Sequence, residues 1–219
     1  MKSSTIVRRA AIFDLDGVLV DTAKYHYLAW KKIADTLGIR FTETDNERLK
    51  GVGRMECLDI ILGLGNVALG QAEKERLAAE KNGIYLTYLQ SMDESALLEG
   101  AASYLASLKK AGIPTALASA SKNAGAIIDR IGIRGLLDAI VDGTMVRKSK
   151  PDPEVFNLAA SMLGVERKRC VVFEDAAAGI EAAHAAGMIA VGIGSEGQLP
   201  DADFVIPGLF AAGGWFFEL

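Results

Sequence analysis

Apolar residues along this chain change their spacing once, sharply. Ala10 to Phe13 is a short continuous apolar run that ends in Asp14, Asp16 and Gly17, the pattern of a buried strand followed by a turn. From Thr22 to about Tyr88 the apolar positions recur at helical spacing. Tyr25, Leu28, Ala29, Ile33 and Leu37 fall on or near one face, and Gly38 suits the end of that helix. Glu56 to Leu62 and Gln71 to Tyr88 read as further helices, and nothing in this stretch reads as a strand. After about Ser95 the pattern alternates. Strands are predicted at Thr115 to Ala118, Ala139 to Val141, Cys170 to Phe173 and Met188 to Ile193. Helices are predicted at Ala101 to Ala111, Ala124 to Ile131, Pro153 to Leu163 and Ala176 to Ala186. Such alternation implies a parallel sheet with helices on both faces. The expected fold is therefore a doubly wound α/β core, residues 1–16 and 96–219, with an all-helical cap inserted at residues 17–95.

Composition narrows the partners. Half of the 219 residues are hydrophobic, enough for a packed core. The net charge is −4 and like charges do not cluster, so neither a nucleic-acid nor an acidic-lipid partner is expected. No apolar run reaches the roughly 18 residues of a membrane span. Lys2, Arg8 and Arg9 precede only the short run Ala10 to Phe13 before the acids intervene, which disfavours a secretory leader. Cys57 and Cys170 form no CxxC pair and no zinc-spaced set, as expected of two reduced thiols in a cytoplasmic protein.

In open α/β sheets, ligands bind beyond the carboxyl ends of the strands. The first strand ends at Asp14 and Asp16, the second at Ser119, Ser121 and Lys122, and the fourth at Glu174 and Asp175; Lys150 follows the third. Four carboxylates converging in one crevice repel each other unless a cation sits among them. Oxygen donors without His or Cys point to magnesium. Asp175 also stands where it can cap the helix predicted from Ala176. Pro151 favours an extended Lys150, and Pro153 suits a helix start. A lysine and hydroxyls beside a magnesium ion suit a phosphoryl group, whose spread negative charge needs fixed positive partners. Taken singly, these residues have plainer readings. Lys150 reads as a surface lysine, Trp30 as core, and His26 as a surface or packed residue. His184 reads as a helix-surface residue, and Phe216 and Phe217 as closing the core. Lys50 and Arg54 are four apart, as on a solvated helix face, but Gly51 and Gly53 favour a loop that approaches a ligand.

Together the motifs resemble the haloacid dehalogenase superfamily. Asp14-Leu15-Asp16-Gly17-Val18 is similar to its first motif, the strand ending in Ser119 to its second, Lys150-Pro151 to its third, and Glu174-Asp175 with Gly179 to its fourth. Within it, Asp21 to His26, Ala29-Trp30, Leu49 to Arg54 and Ala118 to Asn123 resemble the β-phosphoglucomutase family. Gly53 and Cys57 depart from that pattern, which more often has serine at the first position and a small hydroxyl residue at the second. The resemblance implies that Asp14 is the nucleophile and a Mg2+ ligand. It implies that Asp16 gives its backbone carbonyl to the metal and its side chain to proton transfer, and that Glu174 and Asp175 complete the metal site. Ser119 and Lys150 would hold the transferring phosphate. Arg54, Ala120, Ser121, Lys122 and Asn123 would surround the other phosphate. His26, Trp30, Lys50, Gly51, Val52 and Lys81 would meet the sugar from the cap side. The implied reaction interconverts β-D-glucose 1-phosphate and glucose 6-phosphate through β-glucose 1,6-bisphosphate, in a monomeric cytoplasmic enzyme. A sugar-phosphate phosphatase of the same superfamily is the alternative. A phospho-aspartate signalling receiver is a more distant one, since a receiver needs neither the cap nor a second phosphate site.

Overall fold

The computed structural model describes residues 9–217, so the basic residues Lys2 and Arg8 lie outside the described part. Six parallel strands form one sheet: β1 (Ala10–Phe13), β2 (Thr115–Ala118), β3 (Ala139–Val141), β4 (Cys170–Glu174), β5 (Ile189–Ile193) and β6 (Phe204–Ile206). Their spatial order is β3-β2-β1-β4-β5-β6. The chain runs outward from β1 to β3, then crosses back to β4, so the order reverses between β1 and β4. That reversal opens a crevice at the carboxyl ends of these two strands.

Alternation along the strands divides the core into two layers. Ala11, Phe13, Leu117, Val171, Phe173 and Val191 point to one face, which α5 (Ala101–Lys110) and α6 (Ala124–Arg130) cover. Ala10, Ile12, Ala116, Ala118, Val172 and Ala190 point to the other, which α7 (Glu154–Leu163) and α8 (Ala177–Ala185) cover. Phe13 stacks on Phe173 at 4.8 Å between ring centroids, across the β1–β4 seam. Phe216 and Phe217 are buried on the first face, as expected.

Between β1 and β2 the chain forms α1 (Ala23–Thr36), α2 (Glu43–Glu47), α3 (Arg54–Leu64) and α4 (Gln71–Leu89). Trp30, Ile33, Phe41, Leu58, Ile61 and Leu77 give these helices an apolar cluster of their own. Val18, Leu19 and Val20 pack instead with the sheet. No described helix is long and apolar enough to cross a membrane. Both cysteines are buried free thiols.

Among the numbered helices and strands, α2 and β6 lie outside the sequence expectation. The five residues of α2 contain no apolar side chain and so leave no periodic trace; a capping box holds them, with Thr42 N donating to Asp45 Oδ2 at 2.9 Å. The edge strand β6 is three residues long and begins with the exposed Phe204.

Candidate active site

The register of β1 on β4 pairs Phe13 with Phe173, so Asp14 and Glu174 leave the sheet side by side at the reversal. Asp14 N donates to Phe173 O at 3.0 Å, which fixes the start of the loop. Carboxylate oxygens of Asp14, Glu174 and Asp175 lie within 4.8 Å of one another. Gly179 and Gly17 make room: a Cβ on the first would collide with the Glu174 carboxyl, and one on the second with the Asp175 carboxyl. Lys150 is buried with them. Its Nζ donates to Asp14 Oδ1 at 2.5 Å and to Ala118 O at 3.3 Å, and pairs with Glu174. Burial pushes the Glu174 carboxyl up to about 8 even beside this lysine, and with the Asp14 charge pushes Asp175 up to about 6. Three carboxylates thus face two ammonium groups, Lys150 and, on the side of the insert, Lys50. An oxygen-only donor set with excess negative charge fits a hard divalent cation such as Mg2+.

Asp16 is directed elsewhere. Its side chain is not part of the three-carboxylate group; it accepts a hydrogen bond from the Thr22 hydroxyl and lies 4.0 Å from His26 Nε2. Withdrawal from bulk water, followed by the charges of Asp14 and Asp175, pushes its carboxyl up to about 8. Asp175 does not cap α8. Ala176 occupies the cap position without a side-chain bond. Glu174 Oε2 accepts from Ala176 N at 3.0 Å, while the Asp175 carboxylate is taken up by Lys50 at 3.1 Å.

The helical insert forms the opposite wall of the crevice. Lys50 follows α2 and pairs with both Glu47, at 3.0 Å, and Asp175. Gly51, at φ +72°, turns the chain over Ala176 and Lys150. Lys50 and Arg54 therefore do not share a solvated helix face: the first lies in the turn and the second begins α3. Lys81 of α4 is 3% exposed, with its Nζ 2.9 Å from His26 Nδ1, 4.9 Å from the Trp30 ring centre and 4.7 Å from that of Tyr85. Desolvation lowers Lys81 to about 7, and desolvation with the Lys81 charge holds His26 well below its ordinary value. The His26 Nδ1 thus faces Lys81 and its Nε2 faces Asp16. Trp30 packs in the helical cluster and also lines the crevice. Arg54 is half-buried at the N-terminus of α3, and its guanidinium makes no hydrogen bond or ion pair among the described residues.

The loop after β2 closes the third side. Ser119 Oγ accepts from Ser121 N at 3.1 Å, and Ser121 Oγ accepts from Asn123 N at 3.2 Å. One cavity of about 500 Å³ joins all three sides. Every expected site residue lines it except Glu174, which is sealed beneath Lys150 at 0% exposure; Gly51, Val52, Ala120 and Lys122 are among those that do. The structure adds Tyr85 and Asn82, which did not stand out in the sequence, and Thr22, which the sequence marked only as part of the stretch Asp21 to His26. Tyr85 stacks on His26 at 4.3 Å, and Asn82 accepts from Asn123 Nδ2 at 2.9 Å. His184 is on a helix surface as expected, with its Nε2 3.0 Å from Asp203 Oδ2.

A parallel sheet whose carboxyl edge gathers a buried aspartate, a buried lysine and an acidic pair, under a helical insert, suits a class of phosphoryl-handling enzymes. Residues 8–187 match the haloacid dehalogenase-like hydrolase family, and the chain belongs to it. It is 45% identical over 200 residues to the β-phosphoglucomutase of Bacillus subtilis strain 168, covering 90% of this chain and 88% of that one. A crystal structure of β-phosphoglucomutase from Clostridium difficile superposes with a TM-score of 0.92 at 39% identity, covering 96% of both chains. The similarity extends to phosphatases: a phosphorylated carbohydrates phosphatase of Thermotoga maritima is 32% identical over 182 residues, 82% of each chain.

Proposed function

We propose that this chain is a Mg2+-dependent β-phosphoglucomutase that interconverts β-D-glucose 1-phosphate and D-glucose 6-phosphate through a phospho-aspartyl enzyme and β-glucose 1,6-bisphosphate. The observation that carries the reading is that the cavity holding Lys150 beside Asp14 is also lined by Arg54, Lys122 and Asn123, which the mutase reading takes as the site of a second phosphate. A phosphatase needs only the first phosphate site. A mutase needs both, because its bisphosphate intermediate must be held either way round.

Asp14, Glu174, Asp175 and the backbone carbonyl of Asp16 would hold the Mg2+ ion. When bound, it neutralises charge on the transferring phosphoryl group. Asp14 attacks phosphorus, and the bond from phosphorus to the sugar oxygen breaks. Asp16, carrying its proton, gives it to the departing sugar oxygen, and takes one from a sugar hydroxyl in the reverse transfer. The elevated Asp16 carboxyl suits the acid half of that cycle. Lys150 and Ser119 hold the phosphoryl oxygens. The planar fork of Arg54 suits the phosphate that is not transferred. Lys50, Lys81, His26 and Trp30 meet the sugar and exclude water, so that the phosphoryl group returns to a hydroxyl.

We place the cap at residues 17–95 and the core at residues 1–16 and 96–219. All the groups named belong to one chain, which favours a monomer, and the two buried free thiols favour a cytoplasmic setting. The test supplies β-glucose 1-phosphate with a trace of β-glucose 1,6-bisphosphate and Mg2+, and measures glucose 6-phosphate against free phosphate. Glucose 6-phosphate is expected to predominate; predominant free phosphate would assign the chain to the sugar-phosphate phosphatases instead.

A further inference from the structure

Asn82 and Asn123 are 41 positions apart and meet across the crevice. Asn82 belongs to α4 of the helical insert, one residue after Lys81. Asn123 ends the loop after β2 and precedes α6. Both are half-buried and line the cavity. The Asn123 amide donates one of its two N–H groups to Asn82 Oδ1 at 2.9 Å. That bond fixes the rotation of the Asn123 side chain and leaves its second N–H for a ligand. The Asn82 amide then keeps its own two N–H groups, with no protein acceptor among the described residues. Arg54 and Lys122 line the same cavity.

We infer that Asn82 is a positioning and specificity-determining residue, which couples closure of the helical insert to recognition of the phosphate that is not transferred. The inference rests on the mutase reading, because only a mutase cycle places a sugar phosphate there while another phosphoryl group lies at Asp14. When the insert sits over the sheet, Asn82 orients Asn123 toward that anion and brings its own amide to the same side. An anion bound by both walls then favours the closed arrangement, and a closed arrangement presents a completed anion site. The two effects are one coupling and are equal in size.

The experiment measures KM for β-glucose 1,6-bisphosphate in the Mg2+-loaded wild type and in Asn82→Ala, Asn123→Ala and the double variant. Phosphorylation of Asp14 by acetyl phosphate, a donor with a single phosphate, is followed in parallel. Each single variant is expected to raise KM for the bisphosphate about tenfold, and this loss is expected to exceed the loss with acetyl phosphate by about the same factor. The double variant is expected to be little worse than either single one, because each already breaks the shared contact. Multiplying losses in the double variant, or equal losses with both donors, would overturn the inference while leaving the mutase reading intact. A wild type that forms no glucose 6-phosphate would overturn the mutase reading, and the inference with it. Thermal midpoints of all four proteins within a few degrees establish that folding is not what is measured.

Discussion

Lys81 Nζ and His26 Nδ1 lie 2.9 Å apart beside the rings of Trp30 and Tyr85, so two basic groups share one hydrogen bond, the lysine buried and the histidine at the cavity wall. Desolvation, with the Lys81 charge, holds His26 well below its ordinary value, and desolvation lowers Lys81 from 10.5 to about 7. Between those two values the unfolded chain binds more protons at Lys81 than the folded one, so folding stability must rise with pH across that window. The ligand-free wild type is expected to gain stability over a Lys81→Met variant from pH 7 toward pH 10, by at most about 1.4 kcal/mol per pH unit. Denaturant titrations of both proteins at several pH values measure this. A difference that does not change with pH would mean that Lys81 stays charged in the fold.

Asp14→Asn is expected to abolish turnover, by at least about a thousandfold, with little change in thermal midpoint. The attacking oxygen is lost, while the amide keeps the shape of the side chain at the end of β1. Substantial residual conversion of β-glucose 1-phosphate in this variant would contradict the role given to Asp14.

Chelation with EDTA is expected to stop turnover, and added Mg2+ to restore it and to raise the thermal midpoint in a concentration-dependent way, as any ligand of the native state alone must. Asp175→Asn is expected to weaken that midpoint shift, because it removes one of three mutually close carboxylates. A Mg2+-induced shift that is identical in the variant would remove Asp175 from the metal site.

Arg54→Ala tests the proposed second phosphate site. Its guanidinium is half-buried without an ion pair among the described residues, so its charge is held ready for an anion. The variant is expected to lose at least tenfold more kcat/KM with β-glucose 1-phosphate than with a small monophosphate ester such as p-nitrophenyl phosphate. Equal losses on both would place Arg54 outside the second site.

Most of this architecture was legible because the core strands are continuous apolar runs and the longer helices carry periodic ones. The site was legible at the strand ends, where Asp14, Lys150, Glu174 and Asp175 sit at loop positions whose place a parallel sheet dictates. The purely polar α2 was not, since its stability comes from the Thr42–Asp45 cap and no buried stripe marks it. Asn82 was hidden for a related reason. A polar residue on a long helix looks like a solvated face until its partner 41 residues away is placed against it. The capping role open to Asp175 failed through competition, because the Lys50 ammonium attracts its carboxylate more strongly than a neutral helix start does.

Gly53 allows the final prediction, which concerns how closely insert and sheet can meet. Its backbone is extended, at φ −66° and ψ 151°, so the position tolerates any side chain and the need for glycine there is one of space alone. A Cβ at Gly53 would run into the Ser149 hydroxyl, next to Lys150, and would also lie 2.9 Å from Glu56 Oε2, the carboxylate that accepts from Gly53 N at 3.1 Å. Gly53→Ala must therefore push the Ser149 side chain aside or hold the α2–α3 turn away from the lysine loop. The second response would leave Lys50 short of Asp175 and the crevice open to water. The expected result is a threefold to tenfold loss of kcat/KM with β-glucose 1-phosphate, together with a larger fraction of phosphate released to water. Adding Ser149→Ala removes the obstructing oxygen and is expected to restore most of that loss, whereas Ser149→Ala alone should change little. The sign of the interaction between the two substitutions decides the matter: rescue places the two residues in contact in the closed enzyme, and simple additivity would mean that the loops do not meet during turnover.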